Sequence, residues 1–250
     1  MDDQQGGHGG TLTPVVTRLP GCEDARHDHA GGGIVTEGDH RPPAGAPDAA
    51  AVFDALGSAY EKAFAGSAAH RASLDWLLER LAPGSSVLDV GSGTGRPTAE
   101  TLAGAGHRVL GVDVSPVMVE LARRQVPDAA FRCADIREVP LAEGSYDAVC
   151  VYFSLLQMTR DEQSGLLERL VRALRPGGHM VLATVPVDVA GVDAVFMGRP
   201  VRVTSFAAED FTALATGAGL TVLRAEESLF TPAHPEAVPE PHLFVYARRD

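Results

Sequence analysis

The chain has no apolar run approaching the roughly 18 residues that a membrane span requires; its longest, around Ala148–Met158, stops far short. Cysteine is scarce: Cys22, Cys133 and Cys150 are odd in number and show no CxxC spacing. That argues against a disulfide scaffold and a structural zinc, and for a reducing compartment, the cytoplasm. The opening MDDQQGG is acidic and polar, so no signal peptide is expected. Positive charge is also short, with 21 Lys and Arg against 33 Asp and Glu and a net charge of -12. A nucleic-acid binder needs cations to replace phosphate counterions and shows them as a basic stripe. The densest basic spots here are single pairs such as Arg123-Arg124 and Arg248-Arg249. Nucleic acid and an anionic membrane are therefore not the expected partners, and a small molecule is. With 45% hydrophobic residues over 250 positions, the chain has material for one buried core.

What is there changes character near residue 48. Residues 1–47 contain GGHGG, AGGGIV and RPPAGAP and no sustained apolar period. Such a segment buries too little surface to offset its ordering entropy and is expected to be a disordered tail. Cys22, His27 and His29 lie in it without a second ligand pair at zinc spacing, so no metal site is expected. From 48 to 250 the pattern is that of one folded domain. Val52, Phe53, Leu56, Tyr60 and Phe64 recur at helical intervals, and Leu74, Leu77, Leu78 and Leu81 mark a second helix, stopped by Pro83-Gly84. Strand and helix then alternate. Strands are predicted at 86–90, 108–112, 129–135, 146–153 and 179–185, with helices at 96–105, 116–125 and 160–174. LRPGG reads as a helix-ending turn. Apolar strands alternating with amphipathic helices imply a parallel sheet covered on both faces. The end differs: a helix over 206–220 precedes two strands, TVLRAEESLF and HLFVYARR, that would place one strand antiparallel.

One stretch carries the chemistry: SSVLDVGSGTGRPTAETLAGAGHRVLGVDVSP, residues 85–116. A glycine turn between strand and helix lets backbone approach a ligand and aims free N–H groups at it. The dinucleotide fingerprint, however, is GxGxxG. Here the glycines are Gly91, Gly93 and Gly95, and Arg96 stands where the third should be. Asp89 ends the strand two residues before the turn; an anion there suits a cationic amino-acid group better than a pyrophosphate. Asp113 ends the second strand, where a carboxylate can accept both ribose hydroxyls. Asp135 ends the third, within reach of an adenine edge. Three acids at successive strand ends describe a nucleoside with an amino-acid tail and no phosphates.

From about Asp48 to Arg249 the chain resembles the class I S-adenosylmethionine-dependent methyltransferases of the small-molecule type. VLDVGSGTG is similar to that family's first motif, VLGVDVSPVMVELAR to its second, FRCADIREVP to its third, YDAVCVYFSL to its fourth, and LRPGGHMVLA leads into its fifth strand. The resemblance implies an α/β fold, a Rossmann-like three-layer sandwich around a seven-stranded, mostly parallel sheet whose last strand is antiparallel. It implies S-adenosyl-L-methionine as cofactor and S-adenosyl-L-homocysteine as product. By position, Gly91, Gly93 and Gly95 would cradle the methionine end with Asp89 near its ammonium. Asp113 would hold the ribose, Met118 would pack on the adenine, and Asp135 with Ile136 would contact its edge. Phe153 would face the sulfonium, and Tyr60 is placed to cover the cofactor.

The acceptor side is less constrained, because methyl transfer needs a base only for a protonated nucleophile. VYFS replaces the DPPY or NPPY of amino-group methylation, and no acid–Asn trio follows the fourth strand to hold magnesium. LQM at 156–158 stands where a histidine pair is often found in related O-methyltransferases. Tyr60, Tyr152, His70 and His234 are candidate bases. The segment between the fifth and sixth strands reads as a small hairpin, VFM-GRP-VRV, with Phe196, Met197 and Arg202 as pocket walls. A lightly built pocket suits a small, partly apolar acceptor such as a secondary metabolite. Two alternatives stand beside methyl transfer: a pericyclase or cyclase that binds the cofactor without spending it, and a dinucleotide-dependent reductase. The motifs do not encode the acceptor atom or the oligomeric state.

Overall fold

A computed structural model describes residues 49–235 and 237–250, so the readings made on residues 1–47, including Cys22, His27 and His29, lie outside the described residues. The element order is α1 (Ala49–Leu56), α2 (Ser58–Phe64), α3 (Ala68–Leu78), β1 (Ser86–Val90), α4 (Thr98–Gly104), β2 (Arg108–Asp113), α5 (Pro116–Gln125), β3 (Ala130–Cys133), β4 (Tyr146–Tyr152), α6 (Arg160–Ala173), β5 (Leu174–Thr184), β6 (Val189–Phe196), β7 (Arg199–Ser205), α7 (Ala208–Gly217), β8 (Leu220–Phe230) and β9 (Glu240–Arg249).

Seven strands form one sheet in the order β3-β2-β1-β4-β5-β9-β8. Neighbours from β3 to β5 are parallel, and β9 runs antiparallel to both β5 and β8. This is the sheet that the family resemblance implied. Alternating side chains bury both faces of the central strands, which is why they read as unbroken apolar runs. Leu88, Val90, Val149, Val151 and Leu182 pack with Leu166, Leu167 and Leu170 of α6 and Phe211 of α7. Val87, Ala148, Cys150 and Val181 face the other way, onto Leu74 and Leu77 of α3, Leu102 of α4 and Val119 of α5.

Local stops follow sequence chemistry. Ser115 caps α5, its side chain accepting from Met118 N–H, with Pro116 next. Thr159 and Glu162 close a reciprocal capping box on α6. Where one helix was expected from Val52 to Phe64, there are two. Gly57 adopts φ 49, a positive-φ conformation that breaks the helix between α1 and α2. The LRPGG reading also needs correction. Leu174 already pairs with Tyr146 in the sheet, and a register shift follows before His179 pairs with Ala148, so the segment is an irregular start to β5.

The expected hairpin is present as β6 and β7, paired antiparallel in a second, two-stranded sheet. Met197 (φ 48) and Gly198 (φ 74) turn it, the positive-φ pair that matches hairpin twist. Val52 and Leu56 of α1 and Val201 of β7 are buried together, with Phe53, Tyr60, Phe196 and Met197 packed around them. Elements outside the main sheet thus form a cluster of their own.

Candidate functional site

The site is built where β1, β2 and β4 end, the carboxyl edge at which open α/β sheets bind ligands. Gly91 (φ 69), Gly93 (φ 52) and Gly95 (φ 79) all lie in the left-handed region. The turn is stitched to the end of β2, since Gly91 and Ser92 N–H both donate to Val112 O at 2.8 and 3.2 Å. A side chain at Gly91 would put its Cβ 2.2 Å from Ser154 Cβ, whereas one at Gly93 would meet nothing within 4 Å. Gly91 is therefore a close approach between two turns of the protein, and Gly93 faces open space.

Asp89 and Asp113 stand on either side of this turn. Asp89 is 2% exposed and its Oδ2 has no hydrogen-bond partner among the described residues. Burial, and then the charge of Asp113, raise its carboxyl to about 8. Asp113 accepts from Gly93 N–H at 2.8 Å and Ser115 N–H at 2.9 Å, one on each oxygen. Burial lifts its pKa, and those two N–H groups pull against the rise. A carboxylate offers about four lone-pair sites, so acceptor capacity remains for a ligand.

Met118 is buried yet joins none of the three apolar clusters. Ile136 is part of the core cluster beneath α6. The Asp135 carboxylate is held by Arg137 through Nε and Nη2, at 2.6 to 3.0 Å. Burial opposes ionisation there, but these bonds and the Arg137 charge win and hold Asp135 below the usual carboxylate range. Phe153 takes φ 57 just past β4, a conformation uncommon for a bulky residue, with its N–H donating to Ala183 O at 2.8 Å.

Three of the four candidate bases, Tyr60, Tyr152 and His70, differ in setting. Tyr60 packs on Phe53, Phe64 and Phe196. Burial, then the charges of Glu240 and Asp113, raise its phenol, so it remains a neutral donor beside the carboxyl edge. Tyr152 is buried with its hydroxyl 2.8 Å from Ser73 Oγ, and burial raises its pKa well above the usual value. His70 Nε2 lies 3.0 Å from Thr98 Oγ1. Burial, then His242 and Arg71, lower His70 to about 3, leaving it neutral and weakly basic.

Other groups at this edge were not singled out from sequence. Glu61 Oε2, Ser92 Oγ, Ser154 Oγ, Gln157 Oε1 and His242 Nδ1 are buried without partners among the described residues. An unpaired buried polar atom costs about 1–3 kcal/mol, and these come from segments that adjoin the strand ends. They fit a polar ligand. The cover is tied to the turns below it. Asp54 of α1 accepts from Ser115 Oγ at 2.5 Å and Val117 N–H at 3.2 Å, while Arg96 pairs with Glu61 of α2 at 3.8 Å. A shallow depression lined by Ser86, Arg108, Ser145 and Tyr146 opens at the opposite, amino-terminal ends of the strands.

Residues 87–178 match the family described as a methyltransferase domain. That segment contains the glycine turn, Asp113 and Asp135, and is similar to methyltransferase domains. The chain is 43% identical over 113 residues, 45% of each chain, to a demethylmenaquinone methyltransferase of Beutenbergia cavernae. The chain spans less than half the length of the first curated relatives that it matches. Among solved structures, it is similar to a Burkholderia thailandensis 1,6-didemethyltoxoflavin N1-methyltransferase with bound substrate and S-adenosylhomocysteine. That likeness has a TM-score of 0.60 and 26% identity, over 80% of this chain and 86% of that one. It also shares its fold with the [4+2]-cyclase SpnF, with a TM-score of 0.62 at 20% identity over 82% and 97% of the two chains. The methyltransferase fold thus carries more than one chemistry among its relatives.

Proposed function

We propose that the chain binds S-adenosylmethionine at the carboxyl edge and methylates a small-molecule acceptor, releasing S-adenosylhomocysteine. The observation that carries this reading is the buried carboxyl of Asp89, whose Oδ2 has no hydrogen-bond partner among the described residues, beside a glycine turn that lacks the dinucleotide-type third glycine. An ammonium is the group that such a carboxylate lacks. Asp113 keeps acceptor capacity for the ribose hydroxyls, and Gly93 leaves room for the amino-acid end. With the Asp135 side chain committed to Arg137, the backbone at Asp135 and Ile136 is left for the adenine edge, and Met118 for its face.

When bound, S-adenosylmethionine supplies a methyl group on a sulfonium that already carries a good leaving group. The protein's part is then alignment and exclusion of water. Phe153 is fixed by its hydrogen bond to β5 and offers an apolar wall to that centre. Tyr60, Phe64 and Phe196 cluster together and offer an aromatic roof for the acceptor. Tyr60 stays protonated and can donate a hydrogen bond without taking a proton.

Calorimetric titration with S-adenosylmethionine, S-adenosylhomocysteine and NADH, beside an Asp113→Ala variant, tests the reading. Both sulfur nucleosides should bind and NADH should not. Loss of two hydrogen bonds to a charged group, about 1.5 kcal/mol or more each, should weaken the variant at least tenfold. NADH binding, or affinity indifferent to Asp113, would overturn the assignment of this edge. Assaying S-adenosylhomocysteine release separates transfer from a cyclase that keeps its cofactor.

A further inference from the structure

His242 was not among the sequence candidates, yet its placement follows from topology. Because β9 runs antiparallel to β5, its first residues, and not its last, lie at the carboxyl edge. Leu243 pairs with Thr184 at the very end of β5, so Glu240 and His242 project at the edge where β1 and β4 also finish. They are two residues apart on one strand and share a face with Phe244 and Tyr246.

The local chemistry is specific. His242 is 1% exposed. Its Nε2 lies 2.9 Å from Glu240 Oε1, and its Nδ1 is buried with no partner among the described residues. A carboxylate on Nε2 fixes the Nε2–H tautomer and leaves the Nδ1 lone pair bare. The ring lies 4.4 Å from Phe153 and 5.3 Å from Phe230, centroid to centroid. Phe230 in turn packs on Phe64, which stacks with Phe196. A basic nitrogen is thus set into an aromatic wall that begins at Phe153. The other titratable groups facing the Glu240–His242 pair are His70, held neutral from α3 beside His242, and Tyr60, held protonated from α2 beside Glu240.

We infer that His242, oriented by Glu240, is the general base for a flat aromatic acceptor bearing a weakly acidic hydroxyl, a phenol or enol. This rests on the methyltransferase reading above. The acceptor O–H bond breaks as its proton passes to Nδ1. The oxygen pair forms a bond to the methyl carbon, whose bond to sulfur breaks with both electrons left on sulfur. The imidazolium is balanced by Glu240 until water takes the proton. Against a hydroxyl that stays neutral at working pH, a positioned base contributes about 10²–10⁴-fold.

The probe is 4-nitrophenol, whose ionised form absorbs at longer wavelength than the neutral one, added to protein saturated with S-adenosylhomocysteine below the probe's own pKa. Wild type should bind it as the phenolate, raising the ionised fraction about tenfold, one unit of pKa. In His242→Asn it should bind as the neutral phenol, and in Glu240→Gln the gain should shrink. Nitrogen NMR on wild type alone guards against a variant that misfolds: Nδ1 should be unprotonated before the probe is added and protonated after. Probe bound neutral to wild type, an unchanged phenolate signal in His242→Asn, or no probe binding overturns the base while leaving cofactor binding standing. Failure of S-adenosylhomocysteine itself to bind overturns both readings.

Discussion

Replacing Asp89 by Asn should flatten the pH dependence of stability. Burial and the Asp113 charge hold the native carboxyl near 8, against about 3.9 in the unfolded chain. The native state therefore keeps a proton that the unfolded state has released, throughout the window between those values. Stability from this group is fully present below the unfolded pKa and is lost as pH rises towards the native one, at up to about 1.4 kcal/mol per unit. Between about pH 6 and pH 8 the loss amounts to about 2 kcal/mol, because the native group stays mostly protonated until the top of that interval. Asn has the same shape and no proton to lose. Urea unfolding followed by circular dichroism should give a wild-type free energy that falls more steeply than the variant's by that amount. An ammonium ligand adds a second signature, because it favours ionised Asp89 and must expel the proton. S-adenosylhomocysteine affinity should rise with pH by up to about tenfold per unit below 8 in wild type and should not do so in Asp89→Asn. Parallel curves for the two proteins in both experiments would refute the argument.

Gly91→Ala drives a Cβ to 2.2 Å from Ser154 Cβ at φ 69. Overpacking of this kind costs about 1–3 kcal/mol, which calorimetry should show as a lower Tm, and Ser154→Gly in the same chain should restore part of it. Thr159→Ala removes half of the α6 capping box and should cost about 1 kcal/mol, while Thr159→Ser should be close to neutral by urea unfolding. Leu167→Ala, at a fully buried position under the sheet, should cost about 2–5 kcal/mol in the same assay.

Much of the candidate cofactor edge was legible because it is local. Asp89, the glycine turn and Asp113 fall within one βαβ unit, and buried parallel strands announce themselves as apolar runs between glycine and proline stops. The break at Gly57 was not legible: a helical apolar period runs straight across it, and whether a glycine is spanned or used for positive φ depends on what the two halves pack against. His242 and Glu240 were hidden for a different reason. They lie about 150 residues from the glycine turn and reach it only because β9 inserts antiparallel beside β5. The signal was an acid and a histidine at i and i+2 opening an otherwise apolar strand, a pattern that places both on one face. Asp135 shows the converse. It was read as the end of the third strand, but β3 stops at Cys133 and Asp135 lies in the loop beyond, whose turn decides its capture by Arg137 two residues on.

The reversed direction of β9 also decides which end of the domain is safe to handle. Starting at the ligand edge, the strand carries the chain away from it, pairing Arg248 with His179 at the opposite edge and delivering Asp250 there. α1 and α2, by contrast, pack with aromatic residues against the β6–β7 hairpin. A surface anchor, reporter or purification handle joined after Asp250 should leave substrate access open.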